Sequence, residues 1–168
     1  MYNKEIMDRF LAPKFVGAVK GASAVGQAQD PNTNEMIKFS FAIDEDSVIS
    51  DCKFKAFGSP VVIALSDATC ENIIGMSIEE LEEISESQVL NYLKDIPEER
   101  IYVVFLIIDA LNDAIDDYYK KLRRLEKKMQ KENKENNIVA VQKDEMQENK
   151  KVVEDDEDEI SVFDEYYD

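Results

Sequence analysis

Histidine is absent from the 168 residues, and cysteine occurs only twice, at Cys52 and Cys70. Without imidazole the chain lacks the usual general base and a common metal ligand, and no nucleophile–base pair can be named in it. We therefore expect that the protein is not an enzyme. We expect the two cysteines to be free thiols, because disulfides are rare in the cytoplasm. Their apolar neighbours favour a buried, structural role.

The chain also has no long apolar segment. Its longest apolar run, residues 102–108, is far shorter than the ~20 residues that a membrane-spanning helix needs. Residues 1–15 mix charged and apolar side chains, which differs from the apolar core of a signal peptide. We expect a cytoplasmic protein with no membrane partner.

Positive charge is scarce, since 20 Lys and Arg stand against 37 Asp and Glu, for a formal net charge of −17. Such a chain repels nucleic acid and anionic membranes, so we expect protein partners instead. The acidic excess is strongest over residues 131–168, which contain 14 acidic and five basic residues. The composition therefore predicts a folded domain at 1–130 and a disordered acidic tail at 131–168.

Local patterns predict the elements of the domain. Alternating apolar residues over 36–43 and 48–57 predict an antiparallel hairpin. Ser59 and Pro60 suit the start of a helix in which the Ser59 hydroxyl caps a backbone N–H. Helices are predicted over 3–11, 60–74, 86–94 and 99–131, with a capping box at Ser77 and Glu80. The result is an α+β fold, with a small antiparallel sheet packed by helices, a long C-terminal helix and then the acidic tail.

Five segments together resemble one known family. They are residues 2–13, 25–26, 54–58, 75–80 and 113–118. In this order and spacing they are similar to the iron–sulfur cluster assembly scaffolds of the NifU N-terminal (IscU) type, over roughly residues 2–125. The resemblance implies the fold of that family and a place in iron–sulfur cluster assembly.

The family's cysteine ligands are replaced in this chain. The resemblance aligns a Cys-Gly-Asp loop with Thr33-Asn34-Glu35, a second cysteine with Ser59, and a His-Cys pair with Tyr102-Val103. Iron–sulfur clusters are bound by thiolates, which hydroxyl groups and a valine do not replace. We therefore expect no cofactor, neither cluster nor iron, apart from weak metal binding through Glu35, which keeps the carboxylate of the family's Asp. In many members of the family a chaperone recognises one short segment. The resemblance aligns this segment with residues 96–100, which end in Arg100.

Two functions from different classes remain open. The first is a scaffold-like adaptor or regulator of iron–sulfur cluster assembly that carries no cluster and binds a cysteine desulfurase or another assembly factor. The second is a structural or protein-interaction module that uses the fold for self-assembly or partner binding. Both functions concern the start of the last predicted helix, which forms either a buried helical turn or a partner-binding surface. The residues in question are Tyr102, Val103, Phe105 and Leu106. The second case predicts a homo-oligomer.

Overall fold

The computed structural model describes the backbone of residues 2–167 and the side chains of residues 2–150. The chain divides into two compact units, residues 1–122 and residues 123–168. Within the part of the chain that is described, no helix has both the length and the apolar character needed to cross a membrane.

The first unit combines an antiparallel sheet with helices, which confirms the predicted α+β class. A single turn of 3-10 helix, Glu98–Arg100, precedes the last helix, α5, which continues into the second unit. In chain order the elements are α1 (Lys4–Leu11), β1 (Ala24–Gln29), β2 (Met36–Ile43), β3 (Ile49–Phe57), α2 (Pro60–Ile73), α3 (Ile78–Glu82), α4 (Glu86–Leu90) and α5 (Tyr102–Tyr167).

The three strands pair in the order β1-β2-β3, and β2 and β3 form the predicted hairpin. Phe39 lies opposite Phe54, and Phe41 lies opposite Cys52. Because side chains alternate between the two faces of a sheet, these four share one face. All four are buried. The alternation of apolar residues in the sequence therefore identified the buried face correctly.

The outer edge of β3 is paired with two other segments of the chain. The Gly17 amide donates to the Phe54 carbonyl at 2.8 Å, and the Phe54 amide donates to the Phe15 carbonyl at 2.9 Å. Further along the strand, the Ile49 amide donates to the Met76 carbonyl at 2.8 Å. These bonds occupy backbone groups that an exposed edge strand would offer to another chain.

The outer edge of β1 lies against helix α5. The Val25 amide donates to Oδ2 of Asp117 at 2.8 Å, and the Gln27 amide donates to Oδ2 of Asp113 at 2.9 Å. The two carboxylates are four residues apart on the helix, so they lie on one face. Gly26, between the two amides, has no side chain to hold the helix away. Helix α5 is thus fixed to the strand by direct bonds as well as by apolar packing.

A buried carboxylate on α2 fixes the N-terminal segment. Asp67 is 1% exposed and accepts hydrogen bonds from the amides of Lys14 at 2.7 Å and Phe15 at 3.0 Å. Arg9 of α1 donates to the same carboxylate at 2.9 Å and also pairs with Glu71. Because a buried charge needs such partners, this cluster has a structural explanation.

The helix caps differ in part from the sequence prediction. Ser59 occupies the N-cap position of α2, but its hydroxyl makes no capping bond. Ser77 does cap α3, accepting from the Glu80 amide, and the reciprocal capping box is formed by Ser85 and Gln88 at the start of α4. Helix α4 ends at Leu90, four residues earlier than predicted.

Helix α5 is longer than predicted. The sequence predicts a helix that ends near residue 131, followed by disorder, whereas the backbone is helical to Tyr167. The sequence has no Gly or Pro after Pro97 and is rich in Lys, Glu and Gln, which are good helix formers. Every residue from 120 to 150 is exposed. Side chains of the predicted tail beyond residue 150 lie outside the described residues, and the domain boundary at residue 130 stays a prediction.

We predict that Gly26→Ala destabilises the protein. A Cβ at this position would lie 2.2 Å from the Ala114 nitrogen and 2.3 Å from the Ala110 oxygen, both backbone atoms of α5. The helix would have to move away from β1, so chemical denaturation should show a loss of at least about 3 kcal/mol in the free energy of unfolding. Gly21→Ala is the matched control, since a Cβ there meets nothing within 4 Å and only the backbone conformation costs about 1 kcal/mol. Equal losses in the two variants would contradict the close approach.

Candidate functional site

One buried carboxylate joins three segments of the first unit. Glu35, just before β2, is 5% exposed. Its Oε2 accepts from the Ser59 hydroxyl at 3.2 Å, and its Oε1 accepts from Nη1 of Arg100 at 3.3 Å. The phenol of Tyr102 also donates to Oε1. We call these four residues the Glu35 cluster.

Local backbone features bring the cluster together. Ser59 lies two residues after the end of β3, Arg100 lies in the 3-10 turn, and Tyr102 is the first residue of α5. Gly58 makes room for the carboxylate, because a Cβ there would lie 2.7 Å from Cγ of Glu35. Its φ of +149° is also a conformation that other residues rarely adopt. The sequence predicted that the Ser59 hydroxyl caps the start of α2, but it donates to Glu35 instead.

The charges of the cluster compensate one another. The guanidinium of Arg100 forms an ion pair with Glu35 and donates to the Tyr102 oxygen at 2.8 Å. The hydrogen bond with Tyr102 raises the pKa of Arg100. Burial, followed by the hydrogen bond to Glu35, raises the pKa of Tyr102, so its phenol keeps the proton that it donates. The carboxylate thus has a cation and two hydroxyl donors and needs no metal ion to balance its charge.

The loop before Glu35 is closed by its own hydrogen bonds. The amide and the hydroxyl of Thr33 both donate to Oδ2 of Asp30 at 2.8 Å. The Thr33 hydroxyl is the largest cause of the lowered pKa of Asp30. Asn34 has a φ of +61°, at the position where the resemblance places a glycine. Thr33 therefore serves as a turn residue here, and its hydroxyl oxygen also accepts weakly from the Glu35 amide at 3.3 Å.

The four residues predicted to bind a partner divide into two groups. Val103 and Leu106 are buried, at 0% and 5% exposure. Phe105 is 47% exposed, and Tyr102 is half-buried within the Glu35 cluster. Val103, at the position of a family cysteine, thus lies in the core. A role of any of the four in partner binding stays a prediction.

The two cysteines lie in the core between β3 and α2. Cys52 and Cys70 are both fully buried, with their sulfur atoms 3.1 Å apart and not bonded as a disulfide. Burial is the main cause that raises the pKa of Cys52 well above its usual value, so the thiol form is favoured. This confirms the prediction of buried free thiols. Buried thiols that keep their protons are poorly suited to bind an iron–sulfur cluster.

The donor atoms at this site do not fit an iron–sulfur cluster. The three positions that the resemblance aligns with family cysteines hold two hydroxyl groups and a buried valine, and the carboxylate beside them is already paired. Within the described residues, no group of three or more Asp, Glu, Cys or His side chains could hold a metal ion. Weak metal binding by Glu35 would require Arg100 and Tyr102 to move away from its carboxylate.

Comparison with known proteins identifies the family of this chain. A family model described as the NifU-like N terminal domain matches residues 1–125. The chain belongs to that family. It is 32% identical over 127 residues to an Aquifex aeolicus protein named iron–sulfur cluster assembly scaffold protein IscU, covering 75% of this chain and 81% of the relative. A protein of the same name from Rickettsia prowazekii is 31% identical over 123 residues, covering 71% of this chain and 93% of the relative.

Solved structures of the NifU-like family share the fold. A putative iron–sulfur cluster assembly scaffold protein for the SUF system, from Fervidobacterium islandicum, superposes with a TM-score of 0.55. It is 24% identical, with 68% of this chain and 96% of that chain covered. A NifU-like N-terminal protein from Brucella abortus gives a TM-score of 0.59 at 17% identity, covering 71% of this chain and 95% of that chain. The predicted family and its fold are therefore confirmed.

The sequence prediction missed Arg100 and Gly58 as parts of the site. Arg100 was identified only as the end of the segment aligned with a chaperone motif, and Gly58 only as part of a family resemblance. One signal was available, since a carboxylate expected at a former ligand site needs a cation once the metal is lost. The partner could not be chosen from the sequence, because Arg100 and Glu35 are 65 residues apart.

We predict that Tyr102→Phe lowers stability at neutral pH by about 1–2 kcal/mol, because the buried carboxylate loses a hydrogen-bond donor. The raised pKa of Tyr102 means that its contribution is complete below the ordinary value of 10.0 and is lost as the pH rises through the higher folded-state value. Denaturation curves between pH 7 and 11 should therefore show wild type and variant converging at alkaline pH. A constant difference over this range would contradict the hydrogen bond to Glu35.

Proposed function

We propose that this member of the NifU-like family is a protein of iron–sulfur cluster assembly that acts as an adaptor or regulator without carrying a cluster. The observation that carries the proposal is the Glu35 cluster. At positions that the resemblance aligns with the family's ligands, it forms an ion pair and hydrogen bonds that satisfy one another.

The chemistry of the ligands supports this proposal. Clusters bind to soft thiolates, whereas Ser and Thr hydroxyl groups remain protonated near neutral pH and are hard, weak donors. Opening the site to iron would separate a buried carboxylate from its cation, which is costly. The two thiols of the chain are held in the core with their protons. Neither original nor relocated ligands are therefore ready for a cluster.

The fold can still present a binding surface to assembly proteins. Three large apolar side chains next to the Glu35 cluster in the chain are exposed, namely Met36, Phe57 and Phe105. Met36 lies opposite Phe57 in the sheet, and Phe105 lies one helical turn after Tyr102. Exposed aromatic residues of this kind are common at the centre of protein interfaces. The partner proposed here is a cysteine desulfurase, and the charge of −17 favours a basic surface on it.

A second candidate is a structural or interaction module that uses the fold for assembly outside this pathway. The observation that favours it is helix α5, whose residues from 120 to 150 are all exposed and include several large apolar side chains. The two candidates make different predictions for partner binding. An adaptor requires binding to an assembly protein, whereas a self-assembling module does not.

The first prediction from the proposal concerns cluster binding. After anaerobic reconstitution with iron and sulfide, followed by desalting, the wild type should show no visible charge-transfer absorption and no stoichiometric iron or sulfide. A variant that carries Thr33→Cys, Ser59→Cys and Val103→Cys together restores the thiolate set of the family. This variant should show the visible charge-transfer absorption of a cluster, because it supplies the thiolate ligands that the wild type lacks. A stable cluster in the wild type would overturn the proposal.

The second prediction separates the adaptor from the self-assembling module. Purified cysteine desulfurase should bind the wild type in a calorimetric titration, and Phe105→Asp should weaken this binding at least about tenfold, because an exposed apolar anchor is lost. The thermal unfolding of Phe105→Asp should stay close to that of the wild type. Val103→Asp is the contrasting variant and should unfold, since it buries an unpaired charge. An absence of desulfurase binding by the wild type would favour the second candidate.

A further inference from the structure

The helix of the second unit exposes four large apolar side chains whose positions fit one seven-residue repeat. Leu125, Met129, Val139 and Met146 are each between 48% and 72% exposed. They are four, ten and seven residues apart, which are sums of alternating steps of four and three, so they lie along one stripe of the helix. An exposed apolar stripe on a helix marks a surface to be covered. Ile138 and Val141 are exposed on other faces and do not share this spacing.

Alternating steps of four and three residues connect these positions and give a repeat of seven. The intermediate positions of the repeat are polar, at Glu132, Asn136 and Lys143. A seven-residue repeat follows the seam along which two helices wind around each other in a coiled coil. The sequence keeps the spacing at Val153 and Ile160. We define the seam by its members between Leu125 and Lys150, which are Leu125, Met129, Glu132, Asn136, Val139, Lys143, Met146 and Lys150.

The seam contains charges of both signs, and they decide how a second helix can pair with it. In a parallel, in-register pair of identical helices, each seam residue faces its own copy. Glu132 would then face Glu132 of the partner subunit, and Lys143 would face Lys143 of the partner subunit. Like charges in such a position are unfavourable. A parallel homodimer is therefore opposed by its own seam.

We propose that this helix binds a second copy of the chain as an antiparallel coiled coil centred between Asn136 and Val139. In this register, Met129 faces the partner's Met146, and Glu132 faces the partner's Lys143. Symmetry repeats each contact, so the dimer contains two Met–Met contacts and two Glu–Lys pairs. Every charge between residues 129 and 146 on the seam meets a charge of opposite sign.

The residues that flank the seam agree with this register. Lys128 would lie beside the partner's Asn149, and Glu135 beside the partner's Gln142. On the other flank, Glu126 would lie beside the partner's Gln147. None of these three contacts brings like charges together, so the antiparallel arrangement gains attraction on the seam without repulsion at its sides.

A cycle of charge reversals on the full chain tests the proposal. Sedimentation equilibrium of the wild type should give a monomer–dimer equilibrium. Glu132→Lys or Lys143→Glu alone replaces both Glu–Lys pairs by like charges and should raise the dimer Kd about tenfold. The two changes together exchange the charges and restore opposite pairs. The double variant should return to within about threefold of the wild type.

Matched controls separate the seam from overall charge. Glu145→Lys and Lys131→Glu make the same charge changes on the outer face of the helix and should change the dimer Kd less than about threefold. Circular dichroism should show equal helix content in all variants, so that a change in association is not a change in folding. A strictly monomeric wild type would overturn the proposal. So would a dimer that the single reversals leave unchanged, or one that the double reversal fails to restore.

Discussion

The seating of helix α5 on strand β1 is the contact on which the first unit depends. Gly26 lets the helix backbone reach the strand, and the carboxylates of Asp113 and Asp117 bind amides at its outer edge. Because a helix places its residues at fixed intervals, anchoring it at Asp113 and Asp117 also determines where its first turn lies. Tyr102 thereby meets Glu35, and the apolar residues that follow close the core.

The Glu35 cluster is a structural link between three segments of the first unit. A buried carboxylate must be balanced, whether by a metal ion or by protein groups. In this chain Arg100 supplies the cation and Ser59 and Tyr102 supply hydrogen bonds. Removing one partner from such a network costs more free energy than the intact network contributes to stability. The network therefore holds its three segments in one arrangement. Membership of the NifU-like family is thus compatible with the proposed absence of a cluster.

The two units of the chain are stabilised by different means. The first unit buries a continuous apolar core, and buried carboxylates such as Asp67 and Glu35 are paired within it. Residues 123–150 depend on helix propensity, because all their side chains are exposed. Apolar residues within such a helix can be buried only by another molecule. The proposed dimer and the proposed adaptor role therefore use different surfaces and can be tested independently.

The sequence by itself determined the features that depend on residue identity and local period. These are the family, the hairpin with its alternating apolar residues, and the absence of a cysteine at Thr33, Ser59 and Val103. Tertiary structure decided that Ser59 binds a carboxylate instead of capping its helix, and that Arg100 balances Glu35. It also decided that Val103 is core while Phe105 is exposed. Such choices depend on which distant segments meet in space, and no pattern of neighbouring residues encodes that.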